Sequence, residues 1–221
     1  MKRITLTFDN GPHLEGTPHL LQVLADRSLT ATFFLVGDNL RDPALRELAV
    51  QIRAAGHRIA NHTMTHGVAL GRRPGIDVAE AEIGDAQALL GELATSKLFR
   101  PSGDRGQLGP HLLSEDAVNY LQAHGFTAVS WNCVPQDWIG APGAWVQRAE
   151  AIMRTQDWSA IVLHDHCLAG SMQYLEGFLD RVAALGYGFT QDFPPECLLI
   201  DNGRRTAALE GSYTPAPPAR A

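Results

Sequence analysis

Thr7-Phe8-Asp9-Asn10-Gly11-Pro12 is a strand that runs abruptly into a loop. Ile4, Leu6 and Phe8 alternate with Thr5 and Thr7, the period-two pattern of a β-strand. Asn10-Gly11-Pro12 then stops it. Asp9 is therefore a carboxylate at the carboxyl end of the first strand, where α/β folds build their sites. One aspartate at a turn is weak grounds for catalysis. The pattern gains weight because polar residues follow several later strands as well.

Working outward, Thr17-Pro18 reads as an N-cap with proline at the first helical position, opening a helix that ends near Ser28. Strands are expected at Ala31 to Val36, Arg58 to Asn61, Lys97 to Arg100, Thr127 to Trp131, Ala160 to Leu163 and around Tyr187 to Thr190. Helices are expected between them, including one opened by Asp42-Pro43 and closed by Gly56. Asp77 to Ala94 has helical character despite Gly84 and Gly91. Strand and helix alternate about seven times, which predicts parallel βα units. The α/β reading is a distorted (β/α) barrel with about seven parallel strands. An open doubly wound sheet is the runner-up, but the first strand lacks a Gly-rich dinucleotide loop. Residues 1–203 form one domain in this reading. Residues 204–221, with Pro215, Pro217 and Pro218 and no periodicity, read as a tail.

The chain has 221 residues and a formal net charge of -6. It carries no Lys/Arg run, which argues against nucleic acid or an anionic membrane surface as partner. No apolar stretch reaches the roughly 18 residues of a membrane span. The first strand starts at about Arg3, leaving no room for a signal peptide, so the expected location is cytoplasmic unless an export signal has been removed. Cys133, Cys167 and Cys197 lie far apart and form neither a CxxC pair nor an even framework, so reduced thiols are expected. Nothing in the sequence sets the oligomeric state.

Several loop residues could do chemistry. His62-x-x-x-His66 can place two imidazoles on one metal, with Asp9 or Asn10 as a further ligand if the first and third strands share a rim. The pair lacks the glutamate of an HExxH protease motif. His164, emerging from a continuous apolar strand, is a candidate general acid, with Asp165 or Asp137 to fix its tautomer. Ser130 with His164-Asp165 has no nucleophile elbow around it. Arg100 beside Asp9 would keep that carboxylate ionised. Trp131, Trp138 and Trp145 surround the fifth loop and could wall a pocket or pack the core. Cys167, next to His166, is a lone cysteine and is left without a role.

These motifs, in this order, resemble the polysaccharide deacetylases that share the NodB homology domain, carbohydrate esterase family 4. The resemblance runs from about Ile4 to Leu199 and rests on Thr7-Phe8-Asp9-Asn10-Gly11-Pro12, His62-x-x-x-His66, Arg100-Pro101, Asp137-Trp138 and Leu163-His164-Asp165. It implies a distorted (β/α) barrel and a divalent metal, usually Zn2+ with Co2+ or Ni2+ as alternatives. The implied activity is hydrolysis of N-acetyl groups on amino sugars, with an oligosaccharide or small molecule as substrate. By motif, Asp9 is the base, and Asn10, His62 and His66 stand at the metal positions. Arg100 tunes Asp9, Asp137 supports His164, and His164 protonates the leaving amine. Trp138, Pro101 and Ser102 fall at substrate-binding positions. The chain departs from the pattern in two places. Asn10 stands where the family usually has a second aspartate, and Ser102-Gly103-Asp104 stands where a tyrosine is common. A metal-independent small-amide hydrolase and an inactive carbohydrate-binding relative are the competing readings.

Overall fold

The structure is a computed structural model that describes residues 2–215. In chain order the elements are β1 (Arg3–Asp9), α1 (Gly16–Asp26), β2 (Thr32–Leu35), α2 (Pro43–Ala54), β3 (Arg58–Asn61), α3 (Ile76–Ala79) and α4 (Asp85–Leu90). These are followed by β4 (Leu98–Phe99), β5 (Leu113–Ser114), α5 (Glu115–Ala123), β6 (Thr127–Val129), α6 (Ala144–Arg154) and β7 (Trp158–Leu163). The last are α7 (Asp165–Leu168), α8 (Met172–Ala184), β8 (Gly188–Thr190), β9 (Leu198–Asp201), β10 (Arg204–Arg205) and β11 (Tyr213–Thr214).

A nine-stranded sheet runs in the order β10-β9-β6-β4-β3-β2-β1-β7, and β8 also pairs with β1. The contacts from β6 through β4, β3, β2 and β1 to β7 and β8 are parallel. The curl is nearly complete, because Cys133, just beyond β6, makes a parallel bridge to Ile161 of β7. The expected distorted (β/α) barrel is what the chain forms. No helix among the described residues is long and apolar enough to cross a membrane.

β1 shows why position in the barrel matters. Ile4, Leu6 and Phe8 face outward into the main core, with Leu20 and Leu24 of α1 among their partners. Thr5 and Thr7 alternate with them yet are also fully buried, because their face of the strand points into the barrel. Phe34, Ala60, Leu98, Val129 and Ala160 pack with Phe193 and Cys197 into a separate apolar plug. Asp9 ends the inward face of β1, where the strand meets its loop.

Asp42 caps α2 through its side chain, with Pro43 at the first position, as the sequence predicts. Gly56 follows that helix at φ +85°. The Asp77–Ala94 stretch is helical but contains a π turn at Glu80–Gly84. Three expectations need correction. Thr17 lies inside α1, whose N-cap is Glu15, and its hydroxyl instead donates to Asp165. The carboxylate offers a charge-assisted partner that an N-cap role does not. β9 and β10 add an antiparallel edge absent from the expected strands, turning at Asn202-Gly203, a favoured hairpin pair. The segment expected to be a tail is folded over 204–214. β10 pairs with β9, β11 pairs with β5, and Leu209 is buried between them in sequence. Strands of two residues are too short to leave a periodic signature. Pro217 and Pro218 lie outside the described residues.

Candidate active site

Asp9, Asn10, His62, His66 and His164 line one cavity of about 180 Å³ at the carboxyl ends of the parallel strands. Gly103, Arg105, Gly106, Trp131, Val134, Trp138 and Val162 complete its wall. A larger cleft of about 460 Å³ between Arg58, Lys97 and Asn202 opens at the amino ends of the strands and holds no comparable set of groups. The two ends differ as expected for a βα barrel.

Arg100 is the electrostatic centre. It is fully buried just beyond β4, with its guanidinium carbon 3.9 Å from the centroid of Phe34. Its Nη1 donates to Asp9 Oδ1 at 2.8 Å and to Thr7 Oγ1 at 2.7 Å, and Nη2 donates to the Ser130 carbonyl at 3.2 Å. Burial alone would raise the pKa of Asp9. The Arg100 charge, with smaller contributions from His62 and His164, outweighs it and holds Asp9 below its ordinary value. Asp9 is thus a largely buried carboxylate kept ionised at the cavity wall. Arg100→Met should lower the unfolding free energy by about 3–5 kcal/mol in a denaturant titration, because it strands that buried charge. A loss below about 1 kcal/mol would mean that the Arg100–Asp9 pair is not a buried one.

His62 ends on the same side. Its Nδ1–H donates to the Arg100 carbonyl at 2.9 Å, so in the neutral ring the lone pair is on Nε2, 3.7 Å from Asp9 Oδ2. Burial pulls its pKa down to about 4 against the attraction of Asp9, so the ring is neutral near pH 7. The His66 ring lies 4.9 Å from it, centroid to centroid, and burial lowers its pKa too. The connecting turn is held tightly. Thr63 Oγ1 accepts from the His66 amide, and Glu82, in the π turn, accepts from both the amide and the hydroxyl of Thr65.

Asn10 has φ +71°, a left-handed conformation that asparagine tolerates better than most residues. Asn39 Nδ2 donates to its carbonyl at 2.8 Å. Its side-chain Oδ1 is buried and has no hydrogen-bond partner among the described residues. A buried acceptor left unpaired is costly and calls for a ligand. Two neutral imidazoles and one amide oxygen on one cavity form an N/O set that suits a divalent cation such as zinc. The residues fit a metal. His13 lines a neighbouring groove, which Asn10, Asp165 and His166 also line, and not the cavity that holds His62 and His66.

Across the cavity, His164 Nδ1 donates to Asp137 Oδ1 at 2.8 Å, and the His164 amide donates to Asp137 Oδ2 at 2.7 Å. Burial would push His164 down, but the Asp137 hydrogen bond and charge, with Asp9 and Asp165, hold it above its ordinary value. Asp137 is therefore the tautomer-fixing partner. Asp165 turns away and accepts from Thr17 and from the His166 amide. Gly11 leaves room for this, since a Cβ there would lie 2.7 Å from Asp165 Oδ2.

Trp138 stands edge-on to His164 at 5.2 Å and is 39% exposed, a rim residue. Trp131 lines the wall, whereas Trp145 packs in the core against Phe178. Pro101 and Ser102 do not reach the cavity. Both are buried, and Gly103, Arg105 and Gly106 of the same loop line the cavity. Gly103 allows close approach, because a Cβ there would fall 2.6 Å from the Trp131 ring. Sequence reading also missed Arg148. From α6 it donates to the carbonyls of Pro135, Gln136 and Ile139, clamping the loop that carries Asp137 and Trp138. Nothing local marks that arginine, or Glu82, as different from a surface residue.

Comparison with known proteins identifies the family. The profile of the family described as polysaccharide deacetylase matches residues 1–129. The chain is 33% identical over 172 residues to a chitooligosaccharide deacetylase of Rhizobium leguminosarum, covering 76% of this chain and 70% of the relative. It is 29% identical over 168 residues to a peptidoglycan-N-acetylglucosamine deacetylase of Bacillus cereus, covering 74% and 73% of the two chains. A crystal structure of a peptidoglycan N-acetylglucosamine deacetylase superposes with a TM-score of 0.73 at 26% identity, over 92% of this chain and 90% of the other. The profile match spans more than half the chain and the leading motifs of the cavity, so this protein belongs to the polysaccharide deacetylase family and is a carbohydrate deacetylase.

Proposed function

We propose that the chain is a metal-dependent hydrolase that removes N-acetyl groups from amino-sugar oligosaccharides. The observation that carries this reading is the pairing across one cavity of an ionised, arginine-locked Asp9 with a His164 held toward its protonated form. Amide hydrolysis needs both a base for water and an acid for nitrogen. The named relatives act on chitooligosaccharide and on peptidoglycan N-acetylglucosamine, which supports an N-acetylated amino sugar as the substrate class. About 180 Å³ is less than the usual 300–1,000 Å³ of a drug-sized pocket, so the cavity suits an acetamido group while the sugar rests on the rim at Trp138 and Arg105.

Asn10, His62 and His66 would hold the metal. When bound, it supplies Lewis-acid polarisation and a more acidic water. Asp9 Oδ2, the oxygen not bonded to Arg100, takes the proton from the attacking water. His164 delivers a proton to the amine nitrogen as the C–N bond breaks, and Asp137 stabilises the imidazolium that precedes it. The test is acetate release from N-acetylglucosamine oligomers with and without a chelator, restored by zinc. Chelator-resistant turnover would favour a metal-independent amidase. Absence of both turnover and zinc binding would favour a binding module.

Asn10 makes the metal prediction specific. Asn10→Asp replaces a neutral ligand by an anion and keeps a residue that accepts φ +71°. Zinc should bind roughly tenfold or more tightly in a competitive titration. Unchanged affinity would remove Asn10 from the ligand set.

A further inference from the structure

Cys167 has no part in the proposed chemistry, yet it stands beside it. It lies in the short helix α7, three residues after His164. Its Sγ, an oxygen of Asp137 and a ring nitrogen of His164 all lie within 4.8 Å of one another. The His166 Nε2 is 3.2 Å from the same sulfur. His164 is buried, the Asp137 carboxylate is covered, and Cys167 is half-buried, so the group is open to solutes from one side.

Two uses of the thiol compete. Burial first, then the charges of Asp137 and Asp165, push its pKa up to about 12, which leaves a poor nucleophile. Capture of a cation remains, because binding can displace the thiol proton. Thiolate, imidazole and carboxylate together are the ligand mix of a borderline-soft divalent ion. With bonds of about 2.0–2.3 Å, ligand atoms on a tetrahedral ion lie roughly 3.3–3.6 Å apart. Closing from within 4.8 Å takes about an ångström of side-chain movement.

We propose that Asp137, His164 and Cys167 form a second cation site, apart from Asn10, His62 and His66, which takes a thiophilic divalent ion such as zinc or cadmium and silences His164. A ring nitrogen bound to an ion cannot carry the proton that the imidazolium form needs. The Cys167 proton, and the proton that makes His164 an imidazolium, leave to solvent on binding. The silencing rests on His164 as proton donor, whereas the site itself does not.

Titration of the whole protein with cadmium chloride tests this through the ultraviolet charge-transfer band of a cadmium–thiolate bond. Cys133 and Cys197 are buried and out of reach. The wild type should develop the band with one equivalent. Cys167→Ser should lose it, Asp137→Asn should weaken binding roughly tenfold or more, and His62→Ala should keep it. Cys167→Ser should also retain basal deacetylation at limiting zinc while losing inhibition by excess zinc. No band in the wild type, a band that survives in Cys167→Ser, or one indifferent to Asp137→Asn overturns the site. A band with undiminished activity overturns the silencing. Turnover at limiting zinc reports separately on the deacetylase reading, so the two can fail independently.

Discussion

Asp9→Asn should lower kcat on N-acetylated sugar oligomers by about 10²–10⁴-fold, the range that a positioned general base supplies. The substitution keeps the size of the side chain and an oxygen that can accept from Arg100 Nη1. It removes the one group on the cavity that is held as an anion against its burial. His62 and His66 are unaltered, so zinc affinity should stay within about tenfold of wild type. The expected split is lost turnover with retained metal, and it separates a base from a ligand. Stability must be followed in parallel, because the variant leaves Arg100 buried without its counter-ion. The unfolding midpoint should fall, and turnover should be read on protein shown by circular dichroism to be folded. Wild-type turnover in the folded variant would sink the assignment. A loss of zinc binding equal to that of His62→Ala would move Asp9 into the ligand set.

The sequence made the site's members legible because each follows a strand with its own stop signal. Asp9 precedes Asn10-Gly11-Pro12, Arg100 precedes Pro101, and His164 follows an apolar run. Parallel strands then bring those ends to one rim without further information. Their electrostatic states were only partly legible. Arg100 could be placed beside Asp9 from sequence, but its complete burial depends on Phe34, a residue of another strand that packs beneath it. Thr7 reads in the sequence only as a polar position in an alternating strand. Barrel closure turns it inward, and its hydroxyl becomes a partner of Arg100. The supports were not legible at all. Glu82 acts through a π turn, and Arg148 acts on three carbonyls of a loop nine to thirteen residues before it. Carbonyl acceptors leave no trace in side-chain identity. The same holds for β9 against β6 and for β11 against β5, whose pairing over a few residues is set by distant partners rather than by local periodicity, whereas β10 simply turns back on β9 through Asn202-Gly203.

His164→Ala should also abolish hydrolysis with zinc retained at Asn10, His62 and His66, and the pH behaviour of the wild type identifies the proton involved. A general acid must be protonated when the C–N bond breaks. Because Asp137 holds the imidazole above its ordinary value, the competent form persists as pH rises and is lost only through that raised pKa. The falling limb of kcat/KM against pH should therefore lie above the ordinary histidine range. Asp137→Asn removes the charge but keeps a possible acceptor for the Nδ1 hydrogen bond. With less to oppose burial, the His164 pKa drops, and the falling limb should move to lower pH. At a pH above the new limb, the variant should lose about 10²-fold or more, whereas well below it the deficit should shrink. A purely structural role for Asp137 predicts a uniform loss at every pH, with the limb unmoved. The acidic limb offers a check on the other side of the cavity. Asp9 is held below its ordinary value and His62 ionises at about 4, so neither group should curtail activity until well into acid. An alkaline limb that stays in place in Asp137→Asn would assign the proton to a group other than His164, and the division of labour between the two sides of the cavity would fall with it.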